Sequence, residues 1–441
     1  MLTTKKLSGA LLTAAATLLA GSAAGQGLGN SPYSRIGLGD TYGNYGGVRQ
    51  LGMGGTGLAA PNTGNVNDLN PALLVYTPRT TWEAAFTAQA KTVRNATTTA
   101  GRSGTGTLGY LALAVPLNKR WGGSIGLRPY SAVDYQATTL GSVNGDPYSQ
   151  AFRRYNGSGG LSEAYFATGI HVLRDLNIGG SASYLFGTIT QSIGTAVIAP
   201  GIATQQIVVD NEQLRYSDFL FRGSAHYRHS LTKKLNLNLA AVHTFQARLQ
   251  ANRQRTTEEQ DVNGAATSAS VALSDDSGTI TVPSVTQVGL SLDNGRSWSF
   301  NVDGSYQQWS KFRTFSIVSA EGLENTWRVS TGGEFTPDPG SVEHYFQRVT
   351  YRAGLSVAQM PYAPVGNRLY DRAVHWGFAF PLPTATALES TVISLAFLYG
   401  VRGNTDYLYG SGGRSNVQEK YVRVQVGATL SNRWFIKRRL Q

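Results

Sequence analysis

The chain has 441 residues, no cysteine, a formal charge of +12 and only 15% charged residues, with 52 Gly, 7 Trp, 22 Tyr and 16 Phe. That composition excludes a disulfide-stapled fold and a thiolate metal site, and it suits many strands joined by turns. The basic excess could meet nucleic acid, but the exported character of the N-terminus makes anionic lipid headgroups the better match.

Residues 1–25 read as a secretory signal. Lys5 and Lys6 form the basic region, Leu7 to Ala20 an apolar stretch too short to span a bilayer, and Ser22-Ala23-Ala24-Gly25 the small residues of a cleavage site. No later apolar run reaches the roughly 18 residues that a transmembrane helix needs.

Residues 26–78 read as compact irregular chain. The run Gly52-Met53-Gly54-Gly55-Thr56-Gly57 spells a G-x-G-x-x-G. A dinucleotide turn needs a strand before it and a helix after it. Neither is legible, since Ser31 to Gln50 has no apolar run and Pro61 with Asn62-Thr63-Gly64-Asn65 forbids a long helix. The segment closes on Asn70-Pro71-Ala72.

From residue 79 to 441 the dominant pattern is period-two alternation. Val422, Val424 and Val426 alternate with Arg423 and Gln425, and Trp298, Phe300 and Val302 with Ser299 and Asn301. The segments are longer than the 5–6 residues usual in soluble sheets and match the roughly 9–11 of a membrane strand. Fourteen start near Trp82, Thr107, Trp121, Leu161, Leu176, Leu214, Leu235, Val282, Ser297, Trp327, Arg348, Ala373, Leu388 and Tyr421. Tight turns (Asn118-Lys119-Arg120, Arg174-Asp175, Thr232-Lys233-Lys234, Asp293-Asn294-Gly295) alternate with long loops at residues 136–160, 200–212 and 253–281. The expected fold is therefore all-β, a transmembrane antiparallel barrel of about fourteen strands in an outer membrane, both termini in the periplasm.

In such a barrel the apolar face meets lipid and the polar face lines the lumen. Trp82, Trp121, Trp298, Trp327, Trp376 and Trp434 fall on the apolar parity, as an interfacial girdle would. Arg222, Arg228, Arg248, Arg328, Arg352, Arg423 and Arg433 fall on the polar one, with Glu83, Asp218, Asp303 and Glu334 as counter-charges. They could hold an anionic ligand, or tie the wall to whatever fills it, and the second reading is favoured because buried charges need partners first. The strand with Leu111, Leu113 and Val115 is apolar on both parities. The next carries Gly122, Gly123 and Gly126, then Arg128-Pro129-Tyr130, where a kink or bulge is expected. Leu111, Leu113, Val115, Arg128, Pro129 and Tyr130 are thus candidates for an apolar path ending at an interruption in the wall.

The glycine run, the Asn70-Pro71-Ala72 that precedes the first strand, Arg128-Pro129-Tyr130, Gln308-Trp309-Ser310-Lys311-Phe312 and Tyr351-Arg352-Ala353-Gly354 together resemble the FadL/TodX (OMPP1) family of outer-membrane transporters of hydrophobic compounds. Ser31-Pro32-Tyr33-Ser34-Arg35 and the ending Arg433-Trp434-Phe435-Ile436-Lys437-Arg438 look like a Bacteroidota-type member. The resemblance implies a lumen plugged by a hatch that includes Gly52, Gly54, Gly55, Gly57, Asn70, Pro71 and Ala72. It also implies passive uptake of a fatty acid or hydrocarbon through an apolar pocket, with lateral exit into lipid near a kinked third strand. Alternatives are an accessory or plug subunit of an outer-membrane complex such as type 9 secretion, an open porin, and an outer-membrane lipase. For an enzyme, six histidines show no triad and neither G-x-S-x-G nor H-E-x-x-H occurs. No catalytic residue, metal or cofactor is expected.

Overall fold

A computed structural model describes residues 30–41, 45–96, 101–200, 206–261, 263–316, 322–362, 367–384, 389–408 and 414–432. The expected signal segment and the basic ending at 433–438 lie outside the described residues.

Fourteen antiparallel wall strands follow one another around a ring. They are β1 (Thr80–Arg94), β2 (Gly101–Asn118), β3 (Trp121–Val143), β4 (Asp146–Leu173), β5 (Leu176–Ile198) and β6 (Ile207–Thr232). Next come β7, in segments Leu235–Thr244 and Ala247–Gln260, and β8, in segments Val271–Val282 and Val285–Asp293. The remainder are β9 (Trp298–Gln307), β10 (Thr326–Phe335), β11 (Thr350–Gln359), β12 (Tyr370–Leu382), β13 (Ser390–Gly403) and β14 (Gln418–Asn432). Strand β14 pairs with β1 from Gln418↔Arg94 to Asn432↔Thr80, closing the barrel. Closure leaves no free end strand within the bilayer, where no water could satisfy one.

Alternation gives the wall its two faces. Trp82, Trp121, Trp298, Trp327 and Trp376 are all exposed on the outside, while Glu83, Asn301, Arg352 and Arg423 are buried inside. Trp376 lies mid-strand and stacks on Phe397 (5.6 Å between centroids), so it belongs to the lipid-facing wall rather than to a rim girdle.

The expected long loops at 136–160 and 253–281 are instead largely strand. Only Asn144 and Gly145 separate β3 from β4, and β4 runs for 28 residues. Outside the bilayer neither face must be apolar, so the alternation fades while the backbone ladder continues. Strands β3 to β6 thus hold 23 to 28 residues and β9 to β13 only 10 to 14, so one side of the barrel rises far above the other. The Asp293 turn is also longer than a two-residue hairpin, with the Asn294 side chain capping the amides of Arg296, Ser297 and Trp298 at 2.8–3.1 Å.

Strand β7 breaks at Phe245–Gln246 and β8 at Pro283–Ser284, at the same level of the ladder, where Thr244 faces Val285 and Ala247 faces Val282. Each break inserts an odd residue and flips the facing. Leu249 and Ile280 are therefore buried and Arg248 is exposed, which corrects its expected place in the lumen.

Candidate functional site

The first described residue, Asn30, sits beside Gln136 at the end of the barrel away from the tight turns. From there the chain descends inside the lumen to Thr80 at the tight-turn rim, where Asn432 also lies. Asn432 thus lies at the tight-turn rim and Asn30 at the opposite end of the barrel.

Two parts of this N-terminal segment press their backbone against glycines of the wall. Helix α1 (Val48–Gly52) and the glycine run after it press on β10, β11 and β12. A Cβ added to Gly332 would stand 2.1 Å from the Met53 carbonyl oxygen, and one on Gly354 2.3 Å from the Met53 carbonyl carbon. The Gly52 Cα lies 3.2 Å from the Cβ position of Gly377. Gly54 itself holds φ +83°, and a side chain there would meet the Leu355 and Thr331 carbonyls. The second contact is the 3-10 helix Pro71–Tyr76 against β3, β4 and β5. Cβ positions on Gly122, Gly169 and Gly179 would fall 2.2–2.4 Å from backbone atoms of Leu74, Pro71 and Ala72.

Strands 3, 4 and 5 stand seven places from strands 10, 11 and 12 in a ring of fourteen. The two contacts are diametrically opposed, and the segment is a crossbar braced on both sides. Sequence reading missed this bracing. Its signal was the glycine pairs inside strands, such as Gly122-Gly123 and Gly332-Gly333, which mark close approach of another backbone. Gly122 thus seats Leu74 rather than kinking β3.

Polar side chains lock the crossbar. Arg49 bonds Glu334 at 2.6 Å, and Glu334 also takes Arg352 at 3.1 Å. Asp303 accepts from the amides of Gly57 (2.8 Å) and Leu58 (2.9 Å). Arg328 donates to the Gly54 carbonyl and Arg222 to that of Asp68. Glu83 receives Asn65, the Val66 amide and Tyr110 at 2.9–3.1 Å. Asn70 joins the two braces by capping the Ala72 amide (3.0 Å) and donating to the Leu58 carbonyl (2.8 Å). Higher up, Asp40 bonds Arg402 at 2.8 Å. Burial alone would raise the Asp40 carboxyl, but Arg402 and Lys91 hold it below the ordinary carboxylate range. Most of the luminal charges expected from parity are therefore spent on the crossbar.

Strand β3 does carry an interruption at Arg128-Pro129-Tyr130. Pro129 pairs with Ser162 and Ser131 with Leu161, so Tyr130 is an extra residue. On the facing strand, Tyr110 pairs with Ala85 and Leu108 with Phe86, so Gly109 is extra too. Between these bulges the β2–β3 ladder stops at its last rung, Leu111↔Leu127. Above it, β3 pairs at Ser131 and Ala132 with Thr41 and Asp40 of the N-terminal segment instead.

Behind this seam lies a cavity of about 30 Å³ lined by Asp68, Tyr110, Arg128, Pro129, Arg423 and Gln425. Charged groups border it, with Arg128 held by Asp68 (2.6 Å) and Glu163 (2.9 Å). Leu111, 41% exposed, lies on the outer wall, and it lines with Leu113, Ile125 and Leu127 an apolar concavity of about 540 Å³. The expected luminal grease is therefore on the lipid side, because the inward parity of β2 is Tyr110, Ala112 and Ala114, buried against α1 and Leu74. Apolar packing within the lumen lies higher, where Leu38, Val133, Leu161, Leu185, Leu249 and Ile280 form a closed core. A cavity of about 140 Å³ opens beside it, lined by Tyr33, Trp309, Tyr362 and Arg402 among others. No group of His, Asp or Glu able to hold a metal occurs among the described residues.

A family model described as BamG matches residues 5–441. The chain belongs to the BamG family. No curated protein sequence matches it. Among solved structures, the CymD monoaromatic hydrocarbon channel is similar at 14% identity, covering 89% of this chain and 98% of its own, with a TM-score of 0.55. A Pseudomonas aeruginosa FadL homologue gives 12%, 90% and 99% with a TM-score of 0.56. The Ralstonia pickettii toluene transporter TbuX gives 14%, 88% and 99% with 0.54. At such identities the likeness carries the fold: this member of the BamG family is an outer-membrane β-barrel built like the FadL and TodX transporters.

Proposed function

We propose that the chain passes small hydrophobic compounds, fatty acids or hydrocarbons, from outside the cell into the outer membrane through the seam between β2 and β3. The observation that carries this reading is the pair of facing bulges, Gly109 and Tyr130, above the last rung at Leu111↔Leu127. A compound leaving there meets the apolar concavity on the outer wall and then lipid, a gain of about 0.8 kcal/mol per methylene over water. The named activities of the similar structures, monoaromatic hydrocarbon channel and toluene transport, agree with this class of ligand. Passage requires the crossbar to yield near Asp68 and Arg128, because the cavity behind the seam is no larger than a water molecule or two. Deleting Tyr130 removes the extra residue and lets the ladder continue. In proteoliposomes the deletion should cut uptake of labelled toluene and palmitate at least tenfold with the barrel still folded. Unchanged uptake would refute the route.

A second reading, an accessory subunit of an outer-membrane protein complex, is favoured by the crossbar itself. Two opposed backbone braces and a set of buried ion pairs make the barrel a filled body, which leaves its outer surface as what it offers. No uptake by the unaltered protein, together with a stoichiometric protein partner on purification, would select this reading.

A further inference from the structure

Above the level where β9 ends at Gln307, β3 to β8 continue as an open six-stranded sheet, with ladders reaching Val143↔Asp146, Gln150↔Ile198, Thr195↔Val208, Ile207↔Gln260 and Thr257↔Val271. An open sheet has two edges, and these two differ. The β8 edge carries Asp275 and Asp276, has a bulge between Ala272 and Ser274, and is covered lower down by Phe315 and by Arg313, which bridges to Thr281. Charge, bulge and cover are the devices that keep an edge from recruiting another strand. From Ala137 to Val143 the β3 edge has neither charge nor cover, and its one register shift falls at the tip, between Ser142 and Val143. Its sequence, Ala-Thr-Thr-Leu-Gly-Ser-Val, has no charge and no proline, and no described residue pairs with it on the side away from β4. Leu140 is 62% exposed.

Lower down, the same edge already accepts added chain. Thr41 and Asp40 pair with Ser131 and Ala132, the Ser31 amide donates to the Asp134 carbonyl (2.7 Å), and the Gln136 amide donates to the Asn30 side chain (3.2 Å). We propose that residues 137–143 of β3 take an extended, uncharged segment of a partner protein as a seventh strand of this sheet, continuing the pairing that the N-terminal segment begins. Main-chain hydrogen bonds supply the affinity in such strand addition, and alternate side chains supply the selectivity. The proposal holds whether or not the lumen transports.

The test is a photo-crosslinking amino acid placed singly at Ala137, Thr139 and Gly141 in full-length protein, irradiated in the intact cells that make it. One partner protein should be captured, and the crosslinked partner residue should step by two, in one direction, as the probe steps by two. Probes at Ala272 and Ser274 should not give that adduct. The double variant Thr138→Lys, Leu140→Lys should lower it at least tenfold while the barrel keeps its heat-modifiable mobility. No adduct, adducts only to a second copy of this chain, adducts equally from both edges, or a contact that does not step would each overturn the proposal.

Discussion

The carbonyl oxygen of Met53 lies 2.1 Å from where a Cβ on Gly332 would stand, so segment and wall share a space that only glycine leaves open. The same holds across the barrel between Leu74 and Gly122, at 2.2 Å. One crossbar is therefore fitted to two patches of bare backbone that face each other through the lumen.

Gly332→Ala should unseat the crossbar. Overpacking of this kind costs about 1–3 kcal/mol, and the obstructing atom is backbone, which cannot swing away. Gly304→Ala, whose Cβ would meet nothing nearer than Val288 at 3.7 Å, is the control. Gel mobility after graded heating should show a lower transition for the first variant and an unchanged one for the second. Equal transitions would remove the bracing argument.

Glu334 serves two guanidiniums, so its loss should exceed the loss of either. Glu334→Ala strands Arg49 and Arg352 in a buried site, where breaking a pair costs about 3–5 kcal/mol. Arg49→Met leaves the Arg352–Glu334 pair standing and should cost less. Single-channel recordings should show more frequent openings for Glu334→Ala than for Arg49→Met. The reverse order would contradict the network.

Asn70→Ala removes the donor for the Leu58 carbonyl, left unsatisfied at about 1–3 kcal/mol, and one of two acceptors of the Ala72 amide, which keeps the Ser224 hydroxyl at 3.0 Å. Asn70→Asp keeps the acceptor and should fall between Ala and the parent. The readout is the rate of protease cleavage within residues 58–72. An aspartate as damaging as alanine would mean that the cap contributes nothing.

Among the described residues five tryptophans lie on the outer wall, whereas Trp309 packs inside against Gly37 and Phe312. Brominated acyl chains should quench most of the parent's fluorescence. A variant that keeps Trp309 alone should be quenched little. Strong quenching of that variant would place Trp309 against lipid and reverse the assigned faces there.

The strands and their outward faces were legible in residues such as Val422, Val424 and Val426, because a lipid-facing wall writes itself as period two. Arg248 shows where that stops: one extra residue at Phe245–Gln246 flips a strand, and nothing local records it. The extensions of β3 to β8 were hidden for a related reason, since above the bilayer a strand need not alternate. The seam was half legible, Pro129 marking the bulge on β3 while Gly109 on β2 gave no sign.

By itself the sequence determined a barrel of fourteen strands and an N-terminal segment rich in glycine. Only the tertiary structure decided what those glycines do. Gly52 and Gly54 match wall glycines from strands hundreds of residues away in sequence, and the second brace at Pro71–Leu74 lies half a circumference from the first. Close approach is a property of two surfaces at once, so neither partner's sequence states it.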